Sequence, residues 1–399
     1  MKVLHFVEGD NACTYYRTTQ PCEFMKCSGH IHIIIQIYCK LSEKDRDKIY
    51  KVIPDMDIIF FNRFLDWQDL IEFANKKNVI TIYGTDDYFE FGDKNPFGAI
   101  AKYNHYDLRC QNAAQSCDGV IVSTKALQEI FYRYNSNTYV VQNMIDYSMK
   151  QWHKKIRGNG KASSRAGERI VIGYYGSPTH YYDLKEAMPA ITQLMQEYPN
   201  LEFHYGVIPT EGVIYDLNKE RGRFKKEVNP NNFMAIKYRN LSKDMPNDRV
   251  KYLTYSSIDE FGKVYADFDI AIAPLADTAM NRHKSNLKVI EPGGYNLPVV
   301  CSAIRPFTET IKHGVDGFLV NTPDEWYDYL KQLIESKELR NTIGKALGEK
   351  VLLNYDIRNR WHDWFYTILT IARISGKPFR NITGKKWSKA RILRKNLFG

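Results

Sequence analysis

The chain contains no Cys-x-x-Cys pair, and its seven cysteines (13, 22, 27, 39, 110, 117 and 301) form an odd, scattered set. A disulfide framework or structural zinc site is therefore not expected, and a reducing compartment such as the cytoplasm fits. No stretch approaches the roughly 18 apolar residues needed to cross a bilayer. The densest apolar run, residues 31–39, is broken by His32 and Gln36 and reads as a buried strand. The first residues read as a strand too, without the h-region or cleavage site of a signal peptide. Internal repeats are absent, and the only biased tract is a short one rich in Gly, Ser and basic residues at 153–169. With an apolar fraction of 44%, the bulk of the chain is globular rather than disordered.

A length of 399 residues exceeds one ordinary core, so two domains of near-equal size are expected. The net charge of +10 is unevenly spread. Residues 153–169 carry 6 basic and 1 acidic side chains, residues 219–251 carry 10 and 4, and residues 376–399 carry 8 and none. The remaining stretches are neutral or acidic. Localised positive charge points to a polyanionic partner, and solvated linkers, loops and tails are the alternative.

Strand and helix patterns alternate through the first half, with strands over 3–7, 31–37, 57–61, 79–83, 119–123 and 138–142. An amphipathic helix is expected over 19–28, entered through Thr18, and another over 67–75. The tract at 153–169 has linker chemistry. Alternation restarts with strands over 170–174, 201–205, 250–252, 270–273, 299–301 and 317–320, and a helix over 184–197. The fold class is α/β: two Rossmann-like domains, 1–152 and 170–354, facing each other across a crevice at the C-terminal ends of their strands. An aromatic amphipathic helix over 355–375 is expected to pack across the junction, followed by a basic tail at 376–399.

The segment APLADTAMNRHKSNLKVIEPGGYNLPVV, residues 273–300, carries the chemistry. A strand, a polar loop and a helix from about residue 285 to 293 follow one another. The junction offers backbone N–H groups at Ser285, Asn286 and Leu287, which together with the helix dipole favour a diphosphate. Lys284 and Lys288 share one face. Glu291 lies one turn further on, placed to accept hydrogen bonds from ribose hydroxyls. A surface helix with solvated lysines is the plain alternative.

KSNLKVIEPGGYNLPVV, with TETIKHGVDGFLV at residues 308–320, resembles the donor-binding segment of GT-B glycosyltransferases of the GT4 type. Their pattern is E-x7-E, small residues, G-x-P-V-V, then a later Gly-x-x-Gly stretch; Glu291, Pro298, Val299, Val300, Gly314 and Gly317 match it. His283 stands where the family has its first Glu, a residue that contacts sugar hydroxyls, and so becomes a candidate catalytic residue. GYYGSPTHYYDLKEAM, residues 173–188, replaces the family's basic pair and resembles a divergent subgroup of phages and bacterial surface-glycan clusters. The resemblance implies that Gly176, Ser177 and His180 face the donor phosphates; an ordinary core or cap histidine is the alternative for His180. It also implies a nucleotide-sugar donor, most commonly a UDP-sugar, and a retaining outcome.

On the acceptor side, EGDNACTYYRTTQP, residues 8–21, matches the subgroup's R-x-x-x-P pattern through Arg17 and Pro21. Arg17, with Tyr16 beside it, is a candidate acceptor contact, or else a partner of Glu8 or Asp10. Asp86 and Asp87 end a strand and project into the crevice, where one of them can orient or deprotonate a hydroxyl; N-capping is the alternative. No essential metal is expected, because GT-B enzymes stabilise the leaving diphosphate with basic residues and helix N-termini. Two enzyme readings and one non-enzyme reading fit. Hydroxymethylated pyrimidine bases in phage DNA suit the basic segments and the aromatics Tyr215, Phe224, Phe233, Tyr238 and Trp387 among them. Lipid-linked or surface glycans suit a basic amphipathic tail on an anionic membrane. A non-catalytic nucleotide-sugar or nucleic-acid binding module is the third reading.

Overall fold

KVLHFV, IIFFN and ITIYGT are apolar along nearly their whole length, as strands covered on both faces by helices must be. In the computed structural model they form the centre of a six-stranded parallel sheet. Its strands are β1 (Lys2–Val7), β2 (Ile33–Tyr38), β3 (Ile58–Asn62), β4 (Ile80–Thr85), β5 (Gly119–Val122) and β6 (Thr138–Val140), in the order β2-β1-β3-β4-β5-β6. A second sheet begins with β7 (Ile170–Tyr175) and β8 (Leu201–Gly206). A small antiparallel ladder, β9 (Val213–Ile214) with β10 (Lys225–Lys226), follows. The second sheet is completed by β11 (Val250–Tyr252), β12 (Ile270–Ala273), β13 (Val299–Ser302) and β14 (Phe318–Val320), in the parallel order β11-β8-β7-β12-β13-β14.

The structure describes residues 1–7, 11–30, 33–38, 43–63, 67–89, 98–153, 168–177, 180–206, 213–214, 225–226, 233–254 and 256–378. Most of the basic tract 153–169, the first part of 219–251 and nearly all of 376–399 lie outside these residues. So do Glu8, Asp10, Tyr215, Phe224 and Trp387. The six described cysteines are free, and among the described residues no helix is long and apolar enough to cross a membrane.

Each sheet reverses its direction of growth once, between β1 and β3 and between β7 and β12. A crevice forms at such a switch point, outside the carboxyl ends of the strands. Gly176 and Ser177 after β7 and the loop after β12 therefore open onto it.

Alternation within the strands sends Leu4, Phe6, Ile59, Phe61 and Tyr83 to one face of the first sheet. Val3, Ile58, Phe60, Ile80, Ile82 and Ile121 go to the other. The last helix, Ile357–Ser375, covers this second face with Trp364, Ile368, Ile371 and Ala372, spaced one and two turns apart. It is started by Asp356, whose side chain accepts from the Arg358 amide, and stopped by Gly376 in a left-handed conformation (φ 65°). A Cβ on Gly119 would lie 2.7 Å from Ile371 Cγ1, so glycine is what lets the helix approach β5. The expected two-sheet α/β architecture with a returning terminal helix is the observed one.

Two expected helices differ. The stretch over 184–197 divides into Tyr181–Leu184 and Met188–Glu197, where Pro189 suits the first turn of a new helix. The helix over 19–28 starts earlier, at Ala12–Thr14, and runs through a π-helical turn, Tyr15–Thr19, into Gln20–Cys27.

Trp364 is 2% exposed, whereas Tyr366 on the same helix is 62% exposed. Trp364→Ala should lower unfolding stability by about 3–5 kcal/mol. Tyr366→Ala should stay within about 0.5 kcal/mol of wild type. Chemical denaturation of the two variants checks this, and equal shifts would mean that the helix does not complete the core.

Candidate functional site

Gly176 ends β7 at the crevice and is buried. A Cβ there would lie 2.6 Å from the Tyr174 hydroxyl and 2.7 Å from Lys288 Nζ, so the missing side chain is what admits the lysine. Lys288 donates from Nζ to the Tyr175 carbonyl. Burial, and then Lys284, lower its pKa, while Glu291 and Asp183 act the other way. Lys288 rises from the helix Leu287–Gly293, two residues shorter than expected. The backbone N–H groups of Ser285, Asn286 and Leu287 have no acceptor among the described residues. The side chain of Asn286 is turned inward and donates to Thr310 Oγ1 at 3.0 Å.

His180 stands beside this junction. Its Nδ1 donates to Asp183 Oδ2 at 2.6 Å, which leaves Nε2 to face other partners. Burial and the two lysines hold its pKa down against the pull of Asp183. An incoming diphosphate adds negative charge and favours the protonated ring, in which Nε2 also donates. Asp183 is braced in turn: Oδ1 accepts from the Ala276 amide at 2.9 Å and from Asn281 Nδ2 at 2.7 Å. Burial pushes its carboxyl up, but these bonds, His180 and Lys284 outweigh it and hold it low. Ser177 is exposed, and its carbonyl accepts from the Tyr238 hydroxyl at 3.1 Å.

From the first sheet, Asp86 and Asp87 follow β4 directly. Asp87 pairs with Arg63 at 3.0 Å and, across the crevice, with Lys284 at 3.6 Å. Burial would raise its pKa, yet Lys284, Arg63 and His180 together hold it low. Asp86 goes the other way. Burial first, and then Asp87, raise its pKa against Arg63, Arg17 and a hydrogen bond with Cys13. Its Oδ1 has no hydrogen-bond partner among the described residues. Two adjacent carboxyls are thus pushed in opposite directions, one lowered and one raised. Ligand atoms of Cys13, Asp86 and Asp87 lie within 4.8 Å of one another, a group able to hold a cation. Arg63 and Lys284 already balance Asp87 there.

His283 sits on the rim. Its Nδ1 donates to Ala279 O at 2.5 Å, and its ring lies 4.9 Å from that of Tyr88. Its carbonyl accepts from Thr124 Oγ1 at 3.2 Å, and Arg305 holds Glu129 with two bonds of 3.1 Å. Both contacts tie the first half of the chain to the second.

Two acceptor-side expectations, for Arg17 and Tyr16, meet a different geometry. Arg17 is fully buried: its guanidinium donates to Val141 O at 2.5 Å and Asn143 Oδ1 at 3.2 Å, and lies 4.5 Å over the Trp364 ring. Burial lowers its pKa to about 10, against the pull of Asp86, so it stays charged at neutral pH. Its Nη1 and Nη2 donors serve the fold, while Nε has no hydrogen-bond partner among the described residues. Tyr16 is equally buried, and its hydroxyl donates to Glu291 Oε1 at 3.2 Å. Glu291, expected to face ribose, has its other oxygen held by the Tyr265 hydroxyl at 2.7 Å. Burial raises its pKa, while Lys288 and both tyrosines moderate the rise.

Arg63, Asp183, Tyr265 and Cys13 are the site residues that sequence reasoning did not single out. Arg63 carried one usable signal, its position at the C-terminal end of a buried strand. Its left-handed backbone (φ 68°) could not be read from sequence.

Residues 232–336 match the family described as Glycosyl transferases group 1. No curated protein sequence matches the chain. Among solved structures the chain is similar to Anabaena HepE in complex with UDP and glucose, at 14% identity over 93% of this chain and 99% of that one, with a TM-score of 0.65. It is similar to a sucrose-phosphate synthase from Thermosynechococcus elongatus at 14% identity, covering 93% and 100%, with a TM-score of 0.64. A glycosyltransferase from Rickettsia africae gives 14%, 94% and 99%, with a TM-score of 0.61. The likeness to these structures establishes the fold, the GT-B arrangement of two Rossmann-like halves.

Because Lys284 is the leading charge that holds Asp87 low, Lys284→Ala should raise the Asp87 pKa. A lowered carboxyl stabilises the fold above its unfolded pKa, and that stability is lost as pH falls through the folded value. The variant should therefore begin to lose this contribution at a higher pH than wild type. Carboxyl carbon NMR titration reads the shift, and an unmoved Asp87 would show that Arg63 alone sets it.

Proposed function

We propose that the chain is a glycosyltransferase that moves a sugar from a nucleoside-diphosphate sugar, with UDP as the first candidate nucleotide, to a hydroxyl acceptor. The observation that carries the reading is the convergence at the end of β7. Gly176 leaves room, Lys284 and Lys288 supply positive charge, His180 offers Nε2, and the amides of Ser285, Asn286 and Leu287 have no acceptor among the described residues. That set suits a diphosphate and its leaving-group charge. The family match over part of the second half, and fold neighbours solved with UDP and UDP-glucose, support the same nucleotide.

In the retaining scheme the C1–oxygen bond to the diphosphate breaks, the acceptor oxygen bonds C1 on the same face, and the acceptor proton passes to the departing phosphate. Lys288, Lys284 and the three amides stabilise the charge that develops on that phosphate. Asp87, held ionised, orients the acceptor hydroxyl from the opposite wall. If the outcome is inverting, Asp87, held ionised, is the better base and Asp86 the alternative. His283, at the rim beside Tyr88, is placed to meet the sugar. These steps need no metal.

The favoured acceptor is a hydroxymethylated pyrimidine base in phage DNA, supported by the concentration of positive charge in three short segments. A peripheral enzyme of lipid-linked or surface glycans is the second reading, supported by the basic, aromatic-containing tail sequence KKWSKARILRKNLFG. Sugar nucleotides screened against hydroxymethylated and plain DNA, with mass detection of product, test the first. Co-sedimentation with anionic vesicles tests the second.

Lys288→Ala should weaken UDP binding by about 10–100-fold, the cost of a lost charge-assisted contact, and reduce transfer at least as much. Calorimetry with UDP measures it. Unchanged affinity would remove Lys288, and with it this placement of the diphosphate.

A further inference from the structure

The helix Leu287–Gly293 is gripped by tyrosines from the first half of the chain. The Tyr147 hydroxyl donates to Ile290 O at 2.8 Å, and Gly294 leaves room for the Tyr147 ring, 2.7 Å from where a Cβ would stand. The Tyr16 hydroxyl donates to the Glu291 carboxylate, 275 residues away in sequence. Glu291 is 7% exposed and depends on Tyr16 and Tyr265 for its orientation, one hydroxyl on each oxygen. Tyr16 lies in the π-helical turn Tyr15–Thr19, an irregularity often found at functional positions. Its neighbour Arg17 is locked to Val141 O, Ile121 O and Asn143, so the turn that carries Tyr16 is rigid with respect to the first sheet.

We infer that Tyr16 is a positioning residue for donor recognition: from the first half of the chain it fixes the Glu291 carboxylate in the orientation that receives the donor ribose. The inference rests on the reading of Glu291 as the ribose acceptor. Ribose recognition by the second half then depends on its contact with the first. Each carboxylate oxygen accepts more than one hydrogen bond, so a ribose hydroxyl and a tyrosine hydroxyl share it. Without Tyr16 the carboxylate is held on one side only, and its rotation misaligns the second acceptor.

The test is calorimetry with UDP and 2′-deoxy-UDP, a pair that differs in one ribose hydroxyl. Tyr16→Phe keeps the ring, which lies edge-on to Phe261 at 6.4 Å, and removes only the hydroxyl. It should weaken UDP by about tenfold and 2′-deoxy-UDP by less than about threefold, shrinking the preference for ribose. In a Glu291→Gln background the same substitution should add less than about twofold. Tyr147→Phe, which loosens the helix without touching the carboxylate, should keep the ribose preference. The inference fails if Tyr16→Phe leaves UDP affinity unchanged, if its effect persists in full without Glu291, or if Tyr147→Phe erodes the preference equally. If Glu291→Gln itself leaves the ribose preference intact, the ribose reading of Glu291 falls instead.

Discussion

Burying charge is costly, and the crevice of this protein is organised around that cost. Asp86, Asp87, Asp183 and Glu291 all stand within a confined junction between two sheets, together with Arg63, Lys284, Lys288 and Arg17. An unpaired buried ion costs several kcal/mol, about 3–5 when one partner of a pair is removed. The arrangement answers this by cross-pairing. Lys284 from the second half meets Asp87 from the first, and Tyr16 from the first half meets Glu291 from the second. The two halves therefore satisfy each other's polar groups, and their relative placement is part of the electrostatics of the site.

The same logic explains the far end of the chain. Arg17 is fully buried and needs acceptors from the protein. It finds them in the carbonyls of Val141 and Ile121, and its guanidinium plane lies against Trp364. Trp364 belongs to the last helix, so a residue near the beginning of the chain is sealed by one near the end. Just past the end of that helix, Lys377 bonds Asp118, Asn75 and Val79 at the opposite end of the first sheet from the crevice. Residue Lys377 is thus anchored away from the donor site.

Strands were legible in the sequence because a parallel sheet covered on both faces writes itself as short apolar runs. β11 and β12 fall on the expected bounds, and the other central strands within two residues of them. The charged junction at Lys284, Lys288 and Gly176 was legible because its members lie in two short segments with a recognisable pattern. Partnerships across the crevice were not. Tyr16 and Glu291, or Arg63 and Asp87, share no periodicity, and only the folded chain brings them together. The helices Pro323–Glu335 and Lys337–Asn354 are a different case. The capping box of Thr322 and Glu325, with Pro at the first turn, was a local signal open to sequence reasoning.

His283 is the departure from the family pattern that the geometry makes intelligible. Its backbone carbonyl accepts from Thr124 and its ring meets Tyr88, so this position is a contact between halves before it is a contact with sugar. Glu129 lies within electrostatic reach, already held by Arg305. A glutamate at 283 would face that like charge across the rim, in a junction whose anions are otherwise matched. An imidazole carries no such penalty and keeps a ring nitrogen, Nε2, available beyond the one bonded to Ala279. The position therefore presents one ring nitrogen beside the Tyr88 ring, where a carboxylate would present two oxygens.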